Sequence, residues 1–395
     1  MDRKTPKPAN LRTARARSAL ARAAFALTAH PPLEVNRSVS LATRSFVAGW
    51  VLAGLASGSI PARTNLTTQG QTASRSSGAC VERQLGVMGT GLEIVVWAPQ
   101  RSTGLTASEA GVRALEETEK RLSTWQKGSE FSSLNRATLG SWQDLSPTTA
   151  EDLKRALDLA RATNGLFDPT LGHLVQAWDL RGEGRLPSAV ELETARSKCG
   201  YQGIEFDGTR FRRTQDVLLE EGAFGKGAGL DRAASALMAA GAQAASFNLG
   251  GQWLFVGPGD WSVQLAHPAH RTEAVLGLRL PPGSMATSAN SERMLKLRDG
   301  EVGHLLDPRT GIPSGKTHSV SVWAKSALVA DALSTAIFID PSRAAEFAQR
   351  FDAEVILLRT TGTGLTASIT PGLVKVSDPL TPNLQIIPLV YQQSH

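Results

Sequence analysis

The chain has 395 residues, 41% apolar and 20% charged, a globular composition long enough for one large or two smaller cores, which excludes wholesale disorder and fibrous repeats. Its two cysteines, Cys80 and Cys199, are too few for a disulfide-dense scaffold, a four-thiolate zinc site or an iron–sulfur cluster, and leave room for one disulfide. The formal charge of +6 is uneven: residues 1–79 hold eleven Lys/Arg against Asp2 and Glu34, a net of +9, and the remainder carries −3, so no general basic surface for nucleic acid is expected.

The basic arm contains the apolar run Phe46-Val-Ala-Gly-Trp-Val-Leu-Ala-Gly-Leu-Ala56, with Arg37 and Arg44 before it and the small-residue stretch Ser57-Gly-Ser-Ile-Pro-Ala62 after it. Such a run is too short for a bilayer, which needs ~20 residues. It suits the core of a signal peptide cleaved near Ala62. Residues 1–62 are therefore expected to direct export to the periplasm or the outer side of the cytoplasmic membrane, with at most peripheral or signal-anchor membrane association. A disordered basic tail is the alternative, and residues 1–36 are long for a leader. Residues 63–80, rich in Thr, Ser, Gln and Gly, read as a flexible linker.

From Val81 to the end, short β-type runs alternate with helical patterns without a fixed repeat, and 81–395 reads as one mixed unit. In chain order, Leu92–Trp97 reads as a buried strand and Ser108–Leu122 as an amphipathic helix. Thr148-x-x-Glu151 and Ser188-x-x-Glu191 have the form of capping boxes and predict helix starts. A strand running from Leu218 into Gly225-Lys-Gly227, then a helix carrying Leu230, Ala234 and Leu237, is expected next. Strands are predicted at Ala245–Leu249, Trp253–Val256, Trp261–Leu265, Ser319–Trp323 and Glu354–Leu358, and a helix over Ser326–Phe338. Strands grouped between helices favour an α+β fold with antiparallel sheets.

Four turns carry the chemistry. Gly225-Lys226-Gly227 opens a helix, where backbone N–H groups and a lysine attract anions; it is not the P-loop pattern, and a plain tight turn is the competing reading. Asn248-Leu-Gly-Gly251 alone is a hairpin turn. Asp331 and Thr335 stand a helical turn apart, so a carboxylate and a hydroxyl can converge on one hard cation such as magnesium. The surrounding helix is almost wholly apolar, so an unpaired Asp331 would be costly. His304 precedes the turn Asp307-Pro-Arg-Thr-Gly311 and has the chemistry of a general base, although a lone histidine is more often structural.

In order along the chain, Met88-Gly-Thr90, Leu122-Ser-Thr-Trp125, Ser129-Glu-Phe-Ser-Ser-Leu-Asn135, Gly165-Leu-Phe-Asp-Pro-Thr170, Gly225-Lys-Gly227 with Asp231, Asn248-Leu-Gly-Gly251, Ala286-Thr-Ser288, His304-Leu-Leu-Asp-Pro-Arg-Thr-Gly311 and Ala330-Asp-Ala-Leu-Ser-Thr335 resemble the ApbE family of FAD:protein FMN transferases. The resemblance implies a single catalytic domain over 81–395. It also implies a magnesium-dependent enzyme that takes FAD as substrate, attaches FMN through its phosphate to a threonine of an acceptor protein, and releases AMP. It casts Asp331, Thr335 and the Gly225 carbonyl as magnesium ligands, and Met88, Trp125, Asn135, Asp168, Thr170, Lys226 and Ser288 as FAD contacts. His304 becomes the candidate base, with Asp168 and Asp307 as the other catalytic candidates. The sequence departs from the family pattern at Gly225 (usually alanine), Gln252 (commonly an acid), Ala289-Asn-Ser291 (usually Gly-x-Tyr), Ala223 (often glycine) and Glu220 (often aspartate). An FAD carrier without transfer and an FAD pyrophosphatase are the alternative functions.

Overall fold

The computed structural model describes residues 78–290, 294–297, 300–314, 318–362 and 364–390. The expected signal peptide and nearly all of the linker lie outside the described residues. The chain divides into two units, 1–65 with 298–300 and 66–297 with 301–395, and the description that follows concerns the second.

Strands β1 (Ala79–Val87) and β2 (Thr90–Ala98) lead into helix α1 (Arg101–Leu122). Then come α2 (Glu130–Arg136), β3 (Gln143–Asp144), α3 (Pro147–Ala162), α4 (Gly172–Ala177), α5 (Ala189–Ser197), β4 (Ile204–Phe206), β5 (Arg210–Arg213) and α6 (Gly225–Ala239). The next stretch is mostly strand: β6 (Ala244–Leu249), β7 (Gln252–Val256), β8 (Trp261–Ala266), β9 (Ala274–Leu280), β10 (Gly283–Ala289), β11 (Met294–Leu297), β12 (Gly300–Gly303) and β13 (His318–Ala324). Helices α7 (Ala327–Ile339) and α8 (Ala344–Arg350) are followed by β14 (Glu354–Thr361), β15 (Gly364–Ile369), α9 (Pro371–Val374), β16 (Ser377–Pro379) and β17 (Leu384–Pro388).

A nine-stranded sheet in the order β1-β2-β6-β7-β10-β13-β14-β15-β17 forms the middle layer. Its ladders are antiparallel apart from the parallel β15–β17 pair, in line with the α+β expectation. Alternation along each strand assigns the two faces. Leu92, Ile94 and Val96 of β2 meet Leu115 of α1 and Leu230 and Leu237 of α6 in one core. On the reverse face, Trp97 meets Trp261 edge-on at 5.5 Å, and Phe255, Met285 and Trp323 pack against Val263, Leu276 and Leu278 of the small β16-β9-β8 sheet. Helix α7 lies on the α6 side with Leu328, Leu333 and Ile337 fully buried against Val320, Val322 and Phe347. Each large apolar side chain so buried contributes roughly 1.5–3 kcal/mol, which holds α7 firmly across the middle of the sheet.

Three local expectations need correction. Helix α1 starts at Arg101, well before Ser108, because Gly104 brings its first turn onto β1: a Cβ there would stand 2.8 Å from Val81 Cγ2. Helix α3 is capped by Ser146 and not by Thr148, with Pro147 in the first turn. Glu130, from another helix, accepts the Ser146 N–H (2.8 Å) and hydroxyl (2.8 Å), doing the work assigned to Glu151. The Ser188–Glu191 box forms as expected. The run from Leu218 to Phe224 is not a strand: Leu218 makes one isolated bridge to Leu171, the Asn135 side chain takes the backbone pairing of Leu219, and 222–224 is turn. Both cysteines are free thiols, Cys80 exposed and Cys199 half-buried with its pKa pushed up to about 12 by burial. No described helix is long and apolar enough to cross a membrane.

Candidate active site

Phe224, buried between Phe131 (6.2 Å) and Phe167 (6.0 Å), anchors the turn from which α6 starts. Gly227, in the first turn of α6, lies against the start of α7 so closely that a Cβ would fall 2.3 Å from the Ala327 carbonyl oxygen. Only glycine permits this approach. Two carboxylates exploit it in opposite directions. Asp231 of α6 accepts the Ala327 N–H (2.6 Å), the Ser326 hydroxyl (2.7 Å) and an Arg155 N–H (2.7 Å), and so caps α7. Asp331 of α7 returns to α6, where Oδ2 accepts the Gly227 N–H at 3.1 Å and Oδ1 stands 3.9 Å from Lys226 Nζ.

Asp331 is buried, and burial pushes its carboxyl above the usual range, against the opposing pull of Lys226 and the Gly227 N–H. Thr335, half-buried, stands one turn along, with its hydroxyl 3.4 Å from the Asp331 carbonyl. Ser334 donates to the same carbonyl (2.8 Å) and shares a hydrogen bond with Ser288 (2.8 Å), which ties β10 to α7. Met88 sits at positive φ (52°) beside Gly89 (69°) in the β1–β2 turn, and its N–H donates to Glu119 Oε2 at 3.1 Å. Its sulfur lies where a Gly229 Cβ would be 3.0 Å away, so the side chain covers the first turns of α6. Met88, Gly225, Lys226 and Asp331 thus meet where α6 and α7 cross, and Thr335 and Ser288 lie further along α7.

Among the described residues, no group of three or more His, Cys, Asp or Glu stands ready to hold a metal. The oxygen donors that α6 and α7 offer here are the buried Asp331 carboxylate, the Thr335 hydroxyl one turn along and the Gly225 carbonyl at the start of α6. An all-oxygen, incomplete set of this kind fits magnesium, which retains water and substrate phosphate in its remaining positions.

Asn135 and Asp168 both make hydrogen bonds within the chain that hold the segments around them. Asn135 brackets Leu219, giving an N–H to its carbonyl (3.0 Å) and taking its N–H (2.7 Å). Asp168 Oδ1 accepts the Thr170 N–H (2.9 Å) and hydroxyl (2.5 Å), and Oδ2 accepts the Tyr201 N–H (3.0 Å). Thr170 in turn accepts the Gly200 N–H at 2.9 Å. Burial pushes Asp168 upward while these bonds pull it down. The Pro169 carbonyl accepts the Glu220 N–H (2.8 Å), so both residues brace the strip that feeds Gly225.

His304 is half-buried on the segment after β12. Its neighbour Gly303 lies against Asn290 at the end of β10, where a Cβ would meet Asn290 Oδ1 at 2.1 Å. Asp307 is engaged by Arg309, whose Nη2 donates at 2.8 Å and which also reaches Asp340 at 3.2 Å. Trp178 pins the same turn by donating to the Gly311 carbonyl at 2.8 Å. Asp307 therefore sits in a turn held by Trp178 at the end of α4 and tied through Arg309 to Asp340 at the end of α7.

Gln252 donates to the Ala327 carbonyl (2.8 Å) and so also supports α7. A cavity of about 1160 Å³ opens between the large sheet and the β8–β9–β16 sheet, reached by Asn248, Gly251 and Thr287, on the face away from α7. Sequence reasoning missed Arg181: its guanidinium lies 5.1 Å over the ring of Trp125, which is 55% exposed, and it also pairs with Glu220. Burial, then the neighbouring Glu221, raises Glu220 to about 7, with Arg181 and Thr124 opposing. Glu220 stood out as an unusual residue in the turn, but nothing near it in sequence announced a partner at Arg181.

Residues 88–357 match the ApbE family. The chain is 33% identical over 226 residues to an FAD:protein FMN transferase of Rhodobacter capsulatus, covering 54% of this chain and 43% of that protein, so it spans less than half the length of that relative. It is 26% identical over 283 residues to the Haemophilus influenzae protein of the same name, covering 67% of this chain and 81% of the relative. The ApbE protein of Thermotoga maritima superposes with a TM-score of 0.66 at 28% identity, over 71% of this chain and 94% of the other. The Vibrio cholerae flavin transferase ApbE gives 0.66 at 24% identity over 76% and 99%, a likeness of fold. With the glycine turns in order, the helix crossing they build and a family match over most of its length, the chain belongs to the ApbE family.

Proposed function

We propose that the protein is a magnesium-dependent FAD:protein FMN transferase, exported by its N-terminal segment, that joins FMN to a threonine of an acceptor protein. The observation that carries this reading is the Gly227–Asp331 contact, with Lys226 alongside: a first-turn N–H, a buried carboxylate and a cation assembled at one helix start. The names of the relatives point the same way. Asp331, Thr335 and the Gly225 carbonyl would hold magnesium, which when bound neutralises charge on the pyrophosphate. Lys226 and the N-terminus of α6 attract the diphosphate. Met88 and Trp125 offer apolar and aromatic surface to the nucleoside and flavin parts, while Asn135, Asp168 and Thr170 brace the strip beneath them. The threonine oxygen bonds to the FMN phosphorus, the bond to the AMP oxygen breaks, and the threonine proton passes to His304. A threonine hydroxyl is too weak an acid to ionise unaided at neutral pH, so this acceptor is required within hydrogen-bond reach. Export is supported by the Phe46–Ala56 run and its basic flank.

The test is to incubate the full chain with FAD, magnesium and a threonine-bearing acceptor, then assay free AMP and denaturation-resistant flavin fluorescence on the acceptor. Both signals support the transferase. AMP with free FMN marks a pyrophosphatase instead, and neither product marks a carrier.

A further inference from the structure

On the reading that Trp125 receives the flavin of FAD, we propose that Arg181 is a positioning residue that fixes the Trp125 ring as a binding platform and ties it to the acidic turn feeding Gly225. Trp125 lies in the loop after α1, Arg181 after α4, and Glu220 before α6, so three separate segments meet. Arg181 Nη1 donates to the Thr124 carbonyl at 2.9 Å, and Nη2 donates to the Thr124 hydroxyl and to Glu220. Thr124 donates onward to Glu221, whose carbonyl accepts the Gly225 N–H at 2.7 Å. One edge of the guanidinium thus holds the backbone at residue 124 while its face covers the ring at 125. The arrangement needs the planar fork of arginine, which a lysine point charge lacks.

An exposed tryptophan without such a brace would sample several rotamers and lose binding affinity to their ordering. With one face of the ring covered by Arg181 and Trp125 still 55% exposed, surface remains for a second flat group.

The experiment compares wild type, Arg181→Gln, Arg181→Lys, Trp125→Ala and the Trp125→Ala/Arg181→Gln double variant as full chains. It measures the Kd for FAD by flavin fluorescence and, with the acceptor present, KM and kcat. Arg181→Gln is expected to raise Kd and KM for FAD about five- to tenfold, the scale of a lost cation–π contact, with kcat within about twofold. Arg181→Lys should recover only part of the loss. In the Trp125→Ala background, Arg181→Gln should change Kd by less than about twofold, because coupled residues are not additive. An unchanged Kd in Arg181→Gln, or equal losses with and without the Trp125 ring, overturns the proposal. If Arg181→Gln does not fold, the lysine variant decides: full wild-type affinity there refutes the need for a planar fork. Wild type that binds FAD but releases no AMP sinks the transferase reading and leaves the Kd comparison standing.

Discussion

Asp331 and Asp231 cap each other's helices: Asp331 of α7 accepts the Gly227 N–H in the first turn of α6, and Asp231 of α6 accepts the Ala327 N–H at the start of α7. The two helix starts are locked face to face, and the buried carboxylate is fixed where a helix N-terminus and Lys226 converge. Rigid elements carrying the metal donors give better placement than loops would.

The lock depends on a missing side chain. Gly227→Ala would push a methyl to within 2.3 Å of the Ala327 oxygen, a backbone atom that cannot swing away. The helices must separate, and overpacking of this kind costs about 1–3 kcal/mol or more. We expect a lowered thermal midpoint together with weakened magnesium dependence. Calorimetry with and without magnesium checks both, and a midpoint equal to wild type would refute the packing argument.

Asp331→Asn separates charge from shape. The amide oxygen can still accept the Gly227 N–H, and the cost of burying a carboxylate disappears, so stability should hold or rise. Flavin transfer should fall by about 10²-fold or more, since a metal supplies several kcal/mol of charge stabilisation. In wild type, magnesium with FAD should raise the melting temperature by mass action, and in the variant that shift should vanish. Transfer that still responds to magnesium would remove Asp331 from the ligand set.

Glu220 gives the protein a pH-dependent stability of known sign. Its carboxyl is raised from 4.5 to about 7, chiefly by burial and next by Glu221. Between those values the folded state keeps a proton that the unfolded chain has released. Its contribution is complete below about pH 4.5 and declines as pH rises to about 7. Urea midpoints measured from about pH 5 to about pH 8 should fall through that window, and Glu220→Gln should flatten this part of the profile. An unchanged slope in the variant would assign the effect to another group.

Much of this was legible in the sequence because the signals were local. The helical spacing of Asp331 and Thr335 and the glycines of Asn248-Leu-Gly-Gly251 are written within a few residues, and the helix and the hairpin turn both formed. What escaped was non-local. Gly283–Ala289 is made of small and polar residues without a strand-like alternation, yet it becomes β10, paired on both sides, because β7 and β13 flank it. Likewise Asp168 read as a chemical residue in a turn, and its bonds to Thr170 are local, whereas the bond it accepts from Tyr201 exists only once the chain returns at Gly200. The Arg181–Glu220 pair belongs to the same class.

His304 supplies the last prediction, and it is the one that separates chemistry from architecture. Asp307 accepts from Arg309, and Asp168 accepts from Thr170 and Tyr201, so each carboxylate holds its own turn together. His304 sits half-buried beside Gly303, where the chain passes the end of β10 that bears Ser288. On the proposed role of His304 as the proton acceptor, His304→Ala should reduce flavin transfer by ~10²-fold or more, the typical worth of a general base, while the Kd for FAD stays near wild type. Asp307→Asn should instead loosen the turn held on Trp178 and show first as lost thermal stability, with transfer following the folded fraction. Comparing kcat per folded molecule in the two variants decides between them: normal turnover in His304→Ala with collapse in Asp307→Asn would hand the proton to the aspartate.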